Sequence, residues 1–310
     1  MIRAMEYKDI DAIRKIDKLC FKDDFSRRTE GIEGYIESSD NSSIVYEIDG
    51  KVVGFNFIHI WGSFGWFGPF GVDPKYQSQG IGKTMIKHTI KILKEEYKVS
   101  TIGLNTMPES QYNVGFYMSL GFTPHKLSLK LQKQLDFKEK FAGNSDYEVE
   151  EVNISDESEY INIKNDLKNL SCNILNDFDL TSELYMIKYK NFGTAFKLKV
   201  NTKVEGILIC YTKFIREFDL KCIQIKVAAI DKNLDYKKAI DSMIDACTKY
   251  AEKIGYNSIS IDCNTYNEEI CNYLISQHKF KIQKTQVMML MGGDNPFIND
   301  KIHLLTRLAG

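Results

Sequence analysis

The chain opens with apolar residues at helical spacing. Ile10, Ile13, Ile16 and Leu19 recur three apart, with Asp9 and Asp11 near the start, which predicts a helix within residues 1–19. A second, weaker helix is expected over Ser26–Ser38. The pattern then becomes that of strands: Ser43–Ile48, an Asp49-Gly50 hairpin turn, Lys51–Trp61, and Phe64–Val72. After Asp73-Pro74, residues Met85, Ile86, Thr89, Ile90 and Leu93 share one face of a helix over Gly82–Leu93. Val99–Asn105 reads as a buried strand, Gln111–Leu120 as a helix ended by Gly121, and His125–Leu131 as a closing strand. Helices, then an antiparallel meander, then alternating strands and helices make a mixed α/β domain ending near residue 132.

Polar residues 133–146, with Gly143-Asn144-Ser145-Asp146, read as a linker that could carry a short helix over Leu135–Phe141. The remainder, 147–310, repeats the first part. Lys51-Val-Val-Gly54 recurs 152 residues later as Lys203-Val-Glu-Gly206. Val72-Asp73, Met85-Ile86 and Leu120-Gly-Phe122 recur 158 residues later, at Ile230-Asp231, Met243-Ile244 and His278-Lys-Phe280. A nearly constant shift across several kinds of element is an internal duplication. The length of 310 residues suits two such domains.

One uncharged stretch, Gly54–Val72, is long enough to span a bilayer as a helix. Its five glycines and Pro69 speak against that, at roughly 1 kcal/mol for each glycine and about 3 for the proline. Two aromatic-rich strands around Gly62-Ser63 fit better. The net charge of −1 gives no basic surplus for nucleic acid or a membrane surface. Seven scattered cysteines, without CxxC pairs or histidines at zinc spacing, suggest reduced thiols in a cytoplasmic protein and no metal site. The N-terminus lacks the apolar run of a signal peptide.

The central chemical feature is Gln77-Ser78-Gln79-Gly80-Ile81-Gly82-Lys83, after a strand and at the mouth of a helix. A helix start offers unpaired N–H groups and the positive end of the dipole, which suit a diphosphate. Gly80 and Gly82 let the backbone come close, and Lys83 and Thr84 add donors at the rim. Gln77 either anchors the loop or donates to a phosphate. A plain turn before an ordinary helix would show the same glycines. The spacing is neither GxxxxGK[ST] nor GxGxxG after a first strand.

This loop, Val72-Asp-Pro74 before it, and Phe116-Tyr-Met-Ser-Leu-Gly-Phe122 after it resemble the GNAT superfamily of N-acetyltransferases. Gln77, Gly80 and Gly82 fill its phosphate-loop pattern, and Tyr117 with Gly121-Phe122 fills its later signature. The resemblance covers roughly residues 1–132. It implies tandem acyl-CoA N-acyltransferase-like domains, each a twisted mixed sheet flanked by helices. It implies acetyl-CoA as substrate, with the pantetheine arm between splayed strands and pairing with the backbone of Phe70, Gly71 and Val72, and with the diphosphate on residues 77–83. Tyr117 would donate to the leaving sulfur, and the Val72 N–H would meet the oxyanion. No carboxylate lies on Phe64–Val72, so His59, Glu109 and Asp73 stay open as the base, Glu109 being nearest the expected mouth. The family often has asparagine where Ser110 stands, and Asn105 or Asn113 would supply that amide here. Alternate members of Trp61, Phe64, Trp66, Phe67 and Phe70 face the core, and others would line an acceptor site.

At the 158 shift, Gln77, Gly80, Gly82, Tyr117 and Gly121 become Asp235, Lys238, Ile240, Ile275 and Lys279. The second domain is therefore expected to fold without binding the cofactor, and to complete the acceptor pocket. The tail after Asn295 ends in a short amphipathic pattern expected to cross the domain junction. The function expected is transfer of an acetyl group to a primary amine of a small molecule, by a monomer or homodimer. The alternatives are an acetyl-CoA sensor without chemistry and an acetyltransferase of protein lysines or N-termini.

Overall fold

The computed structural model describes residues 1–21, 26–137, 147–217 and 220–308. Most of the expected linker, and the end of its short helix, lie outside the described residues. The first half runs β1 (Ile2–Ala4), α1 (Ile10–Phe21), α2 (Thr29–Ser38), β2 (Ile44–Ile48), β3 (Lys51–Trp61), β4 (Phe64–Val72), α3 (Ile81–Glu95), β5 (Thr101–Thr106), α4 (Gln111–Met118) and β6 (Thr123–Gln134). The second runs β7 (Glu148–Val152), α5 (Glu157–Cys172), α6 (Leu184–Tyr189), β8 (Gly193–Val200), β9 (Lys203–Tyr211), β10 (Cys222–Asp231), α7 (Tyr236–Lys253), β11 (Ser258–Asn264), α8 (Glu268–Ser276), β12 (Lys281–Met291) and β13 (Ile302–Leu305). From β4 to β6 each element recurs near a shift of 158, and the element order of the two halves matches until β13.

The meander forms because its turns are built for it. Asp49 and Gly50 both take left-handed backbone angles, φ 48° and 74°, as a tight hairpin requires. Both faces of β3 are buried, so it lacks the alternation of a half-exposed strand. Phe55 and Phe57 pack against Ile13, Ile16, Ile32 and Tyr35 of α1 and α2. Val53 and Ile58 pack against Met85, Ile86 and Leu93 of α3. Each such side chain contributes about 1.5–3 kcal/mol by leaving water. Leu19, expected on the buried face of α1, is 53% exposed, because the inward face ends with Ile16 and Asp17.

All strands join one sheet, in the order β1-β2-β3-β4-β5-β12-β6-β11-β10-β9-β8-β7, with β13 added beside part of β10. Among the described residues only β4–β5 and β10–β11 pair in parallel. The expected closing strand of the first half does not return to β5. Instead β6 pairs with β11, β12 takes the place beside β5, and β6 and β12 pair with each other at the centre. The halves thus exchange their last strands. Trp61, Phe64 and Trp66 bury against Phe178, Leu180 and Ala229, so one core crosses the junction.

Candidate active site

The loop before α3 is held from behind. Asp73 Oδ1 accepts from the Lys75 N–H at 3.0 Å, and Gln77 Nε2 donates to the Val72 carbonyl at 2.9 Å. Gln77 is therefore the anchor of the loop. Ser78 and Gly80 turn the chain with φ of 63° and 79°. The N–H groups of residues 78–83 donate to nothing among the described residues; the helix ladder begins with Thr84 N–H to Gly80 O at 3.0 Å. Six consecutive amides with no internal acceptor, at the positive end of a 15-residue helix, are an arrangement suited to cradle an anion. A Cβ at Gly82 would stand 3.3 Å from Phe70, whereas one at Gly80 would meet no atom within 4 Å but would strain the backbone.

Beside the cradle the sheet opens. β4 pairs with β5 only over Phe64–Trp66, and from Phe67 onward the two strands part. The Asp73 N–H donates to Val53, so by ladder alternation the N–H and C=O of Phe70 and Val72 face the gap. The Val72 carbonyl already accepts from Gln77 and from Cys20 Sγ at 3.2 Å. Its N–H has no partner among the described residues.

A cleft of about 1060 Å³ runs from the cradle through this gap to the second half. Its wall includes Phe70, Gly71, Val72, Gln77, Ser78, Gly80, Ile81, Gly82, Lys83, Asn105, Asn113 and Tyr117, while Gln79, Thr84 and Glu109 are not on it. The Thr84 hydroxyl instead bonds the Gly80 carbonyl at 3.1 Å. The Asn105 amide donates to the Arg307 carbonyl at 2.7 Å and accepts from Ser128, so it holds the C-terminal tail in place. Asn113 lies in the first turn of α4, where Ser110 caps the helix. The Tyr117 ring packs 6.1 Å from Phe67 and 5.2 Å from Phe116. Burial raises its pKa, which keeps the phenol protonated. Its hydroxyl has no hydrogen-bond partner among the described residues.

None of the three candidate bases reaches the cleft. Glu109 is exposed on the loop before α4. Asp73 is used as the cap of its turn. His59 stacks 5.7 Å from Trp61, and burial holds its pKa down to about 3. Among the described residues no Asp, Glu or His lines the wall. Of the aromatic group, Trp66, Phe67 and Phe70 reach the cleft, whereas Trp61 and Phe64 are core.

The composition of the far wall was not expected. It is built by Arg27, Lys130, Arg216, Lys226, Lys284 and Arg307, together with Gln224 and Gln286. The one local hint is Lys226, a lysine inside the apolar run Cys222–Ile230.

The matching places in the second half are filled. Asp235 caps α7 and accepts from the N–H groups of Lys237 and Lys238 at 2.9 and 3.4 Å. β13 pairs with Ala228–Asp231, the counterpart of Phe70–Asp73. The chain's own carboxylate and its own strand occupy what the first half leaves open.

Residues 10–122 match the acetyltransferase (GNAT) family. A spermine/spermidine N(1)-acetyltransferase of Bacillus subtilis is 35% identical over 57 residues, which span 18% of this chain and 38% of that enzyme. An N-alpha-acetyltransferase of Sulfurisphaera tokodaii is 25% identical over 138 residues, 41% of this chain and 81% of that one. The structure of a GCN5-related N-acetyltransferase from Sphaerobacter thermophilus superposes with a TM-score of 0.63 at 11% identity, covering 96% of this chain and 98% of its own. At that identity the likeness is one of fold, and it extends over both halves.

Proposed function

We propose that the chain is an acyltransferase of the GNAT family, as the match of residues 10–122 supports, and that it carries the acetyl group of acetyl-CoA to a primary amine of a small molecule by direct attack. The observation that supports this most is the row of six unbonded amides at residues 78–83, opening onto the gap between β4 and β5. Those amides would hold the diphosphate, with Lys83 at the rim. The backbone of Phe70 and Val72 would pair with the pantetheine amides. Acetyl-CoA supplies an activated carbonyl and a thiolate leaving group. The Val72 N–H is placed to bond the developing oxyanion. Tyr117, kept protonated by burial, is placed to donate to the departing sulfur.

The amine must lose a proton, and among the described residues no carboxylate or imidazole lines the wall to take it. It therefore arrives neutral, or gives the proton to water. The second half serves as a degenerate acetyltransferase domain that completes the pocket. Its filled cradle and filled strand gap support that reading. Residues 1–132 and 147–310 would then be the two units, coupled by the exchange of β6 and β12.

The names of the relatives fit acetyl transfer to amines, one to polyamines and one to N-termini. The wall without a base favours a second reading, a sensor that binds the cofactor without chemistry. Release of free thiol from acetyl-CoA with an amine panel separates the two. The enzyme reading expects amine-dependent release, lowered about 10²–10⁴-fold in Tyr117→Phe with little change in cofactor affinity. Tight binding without release on any amine favours the sensor.

A further inference from the structure

The far wall of the cleft has more positive charge than the protein neutralises. Six cationic side chains line it, and no carboxylate lies on it among the described residues. Two fully buried carboxylates stand behind. Asp17 holds Arg27 and Arg216, each at 2.9 Å, and Asp262 holds Arg307 at 2.9 Å. Both acids are thus committed to arginines.

Three lysines remain without an ion pair among the described residues. Lys226 is the bulge residue of β10, between the paired positions Ile225 and Val227, and is 7% exposed. It shares a small enclosure with Glu183, whose carboxylate accepts from the Trp61 indole at 3.0 Å. Lys284 of β12 and Lys130 of β6 are direct cross-strand partners. Like charges in that position repel. Lys130 stands 4.7 Å over the Phe214 ring, a contact that favours its charge but does not cancel it. Burial lowers the pKa of all three; Glu183 and Asp262 offset part of this at Lys226 and Asp262 part of it at Lys130, whereas for Lys284 the nearby Arg307, Lys130, Arg216 and Arg27 lower it further. Lys226 is buried, Lys130 is half-buried and Lys284 is exposed, so the cluster is open to an anion that enters the cleft. The wall is reached from the cradle across β5, β12 and β6, so it lies at the acceptor end of the cleft.

We propose that the acceptor is an amine that also carries a carboxylate or phosphate group, which docks on Lys130, Lys226 and Lys284 while its amine points toward Tyr117. This rests on the acetyl-transfer reading and narrows it. A polyamine would meet this wall with like charge.

The test uses the full chain and paired acceptors: L-glutamate and glucosamine 6-phosphate against spermidine and uncharged glucosamine. Binding to the coenzyme A complex is measured by calorimetry, and turnover by thiol release. The proposal expects at least one anionic amine to exceed its uncharged or cationic counterparts by 100-fold or more in affinity or kcat/KM. Which of the two wins tells carboxylate from phosphate. Lys284→Gln should weaken that amine at least 10-fold, mainly through KM, and Lys284→Glu more, with coenzyme A affinity unchanged in both. If these variants unfold, the wild type saturated with coenzyme A is compared at low and about 0.5 M salt: the anionic amine should lose its advantage over its uncharged counterpart, since salt screens the wall's attraction for it. Preference for spermidine, or no preference for charge, overturns the proposal and leaves acetyl transfer standing. A drop in coenzyme A affinity equal to the loss for the amine also overturns it, because the wall would then hold the cofactor. Failure to bind coenzyme A at all sinks the underlying reading.

Discussion

Gly82→Leu should remove cofactor binding while leaving the fold intact. Gly82 sits in the first turn of α3 with ordinary helical backbone angles, so a side chain there brings no backbone strain. A Cβ would touch Phe70 at 3.3 Å and Val72 at 3.9 Å, a crowding that a small turn of the Phe70 ring relieves. Beyond the Cβ, a leucine would lie over the amides of residues 81–83. Hydrogen bonds to a charged group contribute about 1.5–3 kcal/mol each. Losing two of them costs about 3–6 kcal/mol, or roughly 10²–10⁴-fold in Kd. Gly80 is a contrasting control: with φ of 79°, any side chain there strains the loop by about 1–3 kcal/mol, so Gly80→Val should lower Tm as well as affinity. Calorimetry with coenzyme A and a thermal melt on both variants make the comparison. A Gly82→Leu protein that melts like wild type and binds coenzyme A with unchanged affinity would refute the cradle.

Three further outcomes follow from the same structure. His59 stays neutral in the fold, with its pKa pressed to about 3 against 6.5 when unfolded, so the unfolded chain gains a proton first. Its stability contribution is complete above pH 6.5 and is lost as pH falls from there toward 3, by at most about 5 kcal/mol; denaturant titrations at pH 7.5 and 5 should differ in wild type and differ less in His59→Gln, where His303, with its pKa lowered to about 4, leaves a dependence of the same sign. Ending the chain at residue 300 removes β13 and the buried Ile302, Leu304, Leu305 and Leu308. At about 1.5–3 kcal/mol each, their loss rivals the whole stability of a domain, so the product should be insoluble or melt more than 10 °C lower; a melt within 2 °C of wild type would contradict the role of β13. The rate should rise with pH along the titration of the acceptor's own ammonium, since the wall lacks a base. It should fall again below the ordinary lysine value of 10.5, as the depressed wall lysines lose their protons; a rising limb that stays fixed when acceptors of different pKa are compared would reveal a protein base.

Local features of this fold were legible, and pairings at a distance were not. The bounds of β3 and β4 follow from Asp49-Gly50, Gly62-Ser63 and Asp73-Pro74, because turn residues act on their own neighbours. The alternation of β6 would be the same against β5 or β11, so its exchange with β12 left no local mark. The segment Ile302–Leu305 is too short to reveal that it fills the gap beside β10. The loop that carries the unbonded amides was readable because it is one continuous stretch. The base candidates lie off the cleft for a related reason: Glu109 is close to the mouth in sequence but turned to solvent. The basic wall is assembled from residues between Arg27 and Arg307, and each alone resembles a surface cation. Lys226 alone carried a local sign, its mostly apolar strand neighbours, yet it was not among the expected site residues.

A crystal structure of the protein with bound coenzyme A tests the central claim most directly. The account predicts diphosphate oxygens within about 2.7–3.2 Å of several N–H groups of residues 78–83, with the pantetheine arm between β4 and β5. A cofactor seated elsewhere, with those amides bonded only to water, would contradict it.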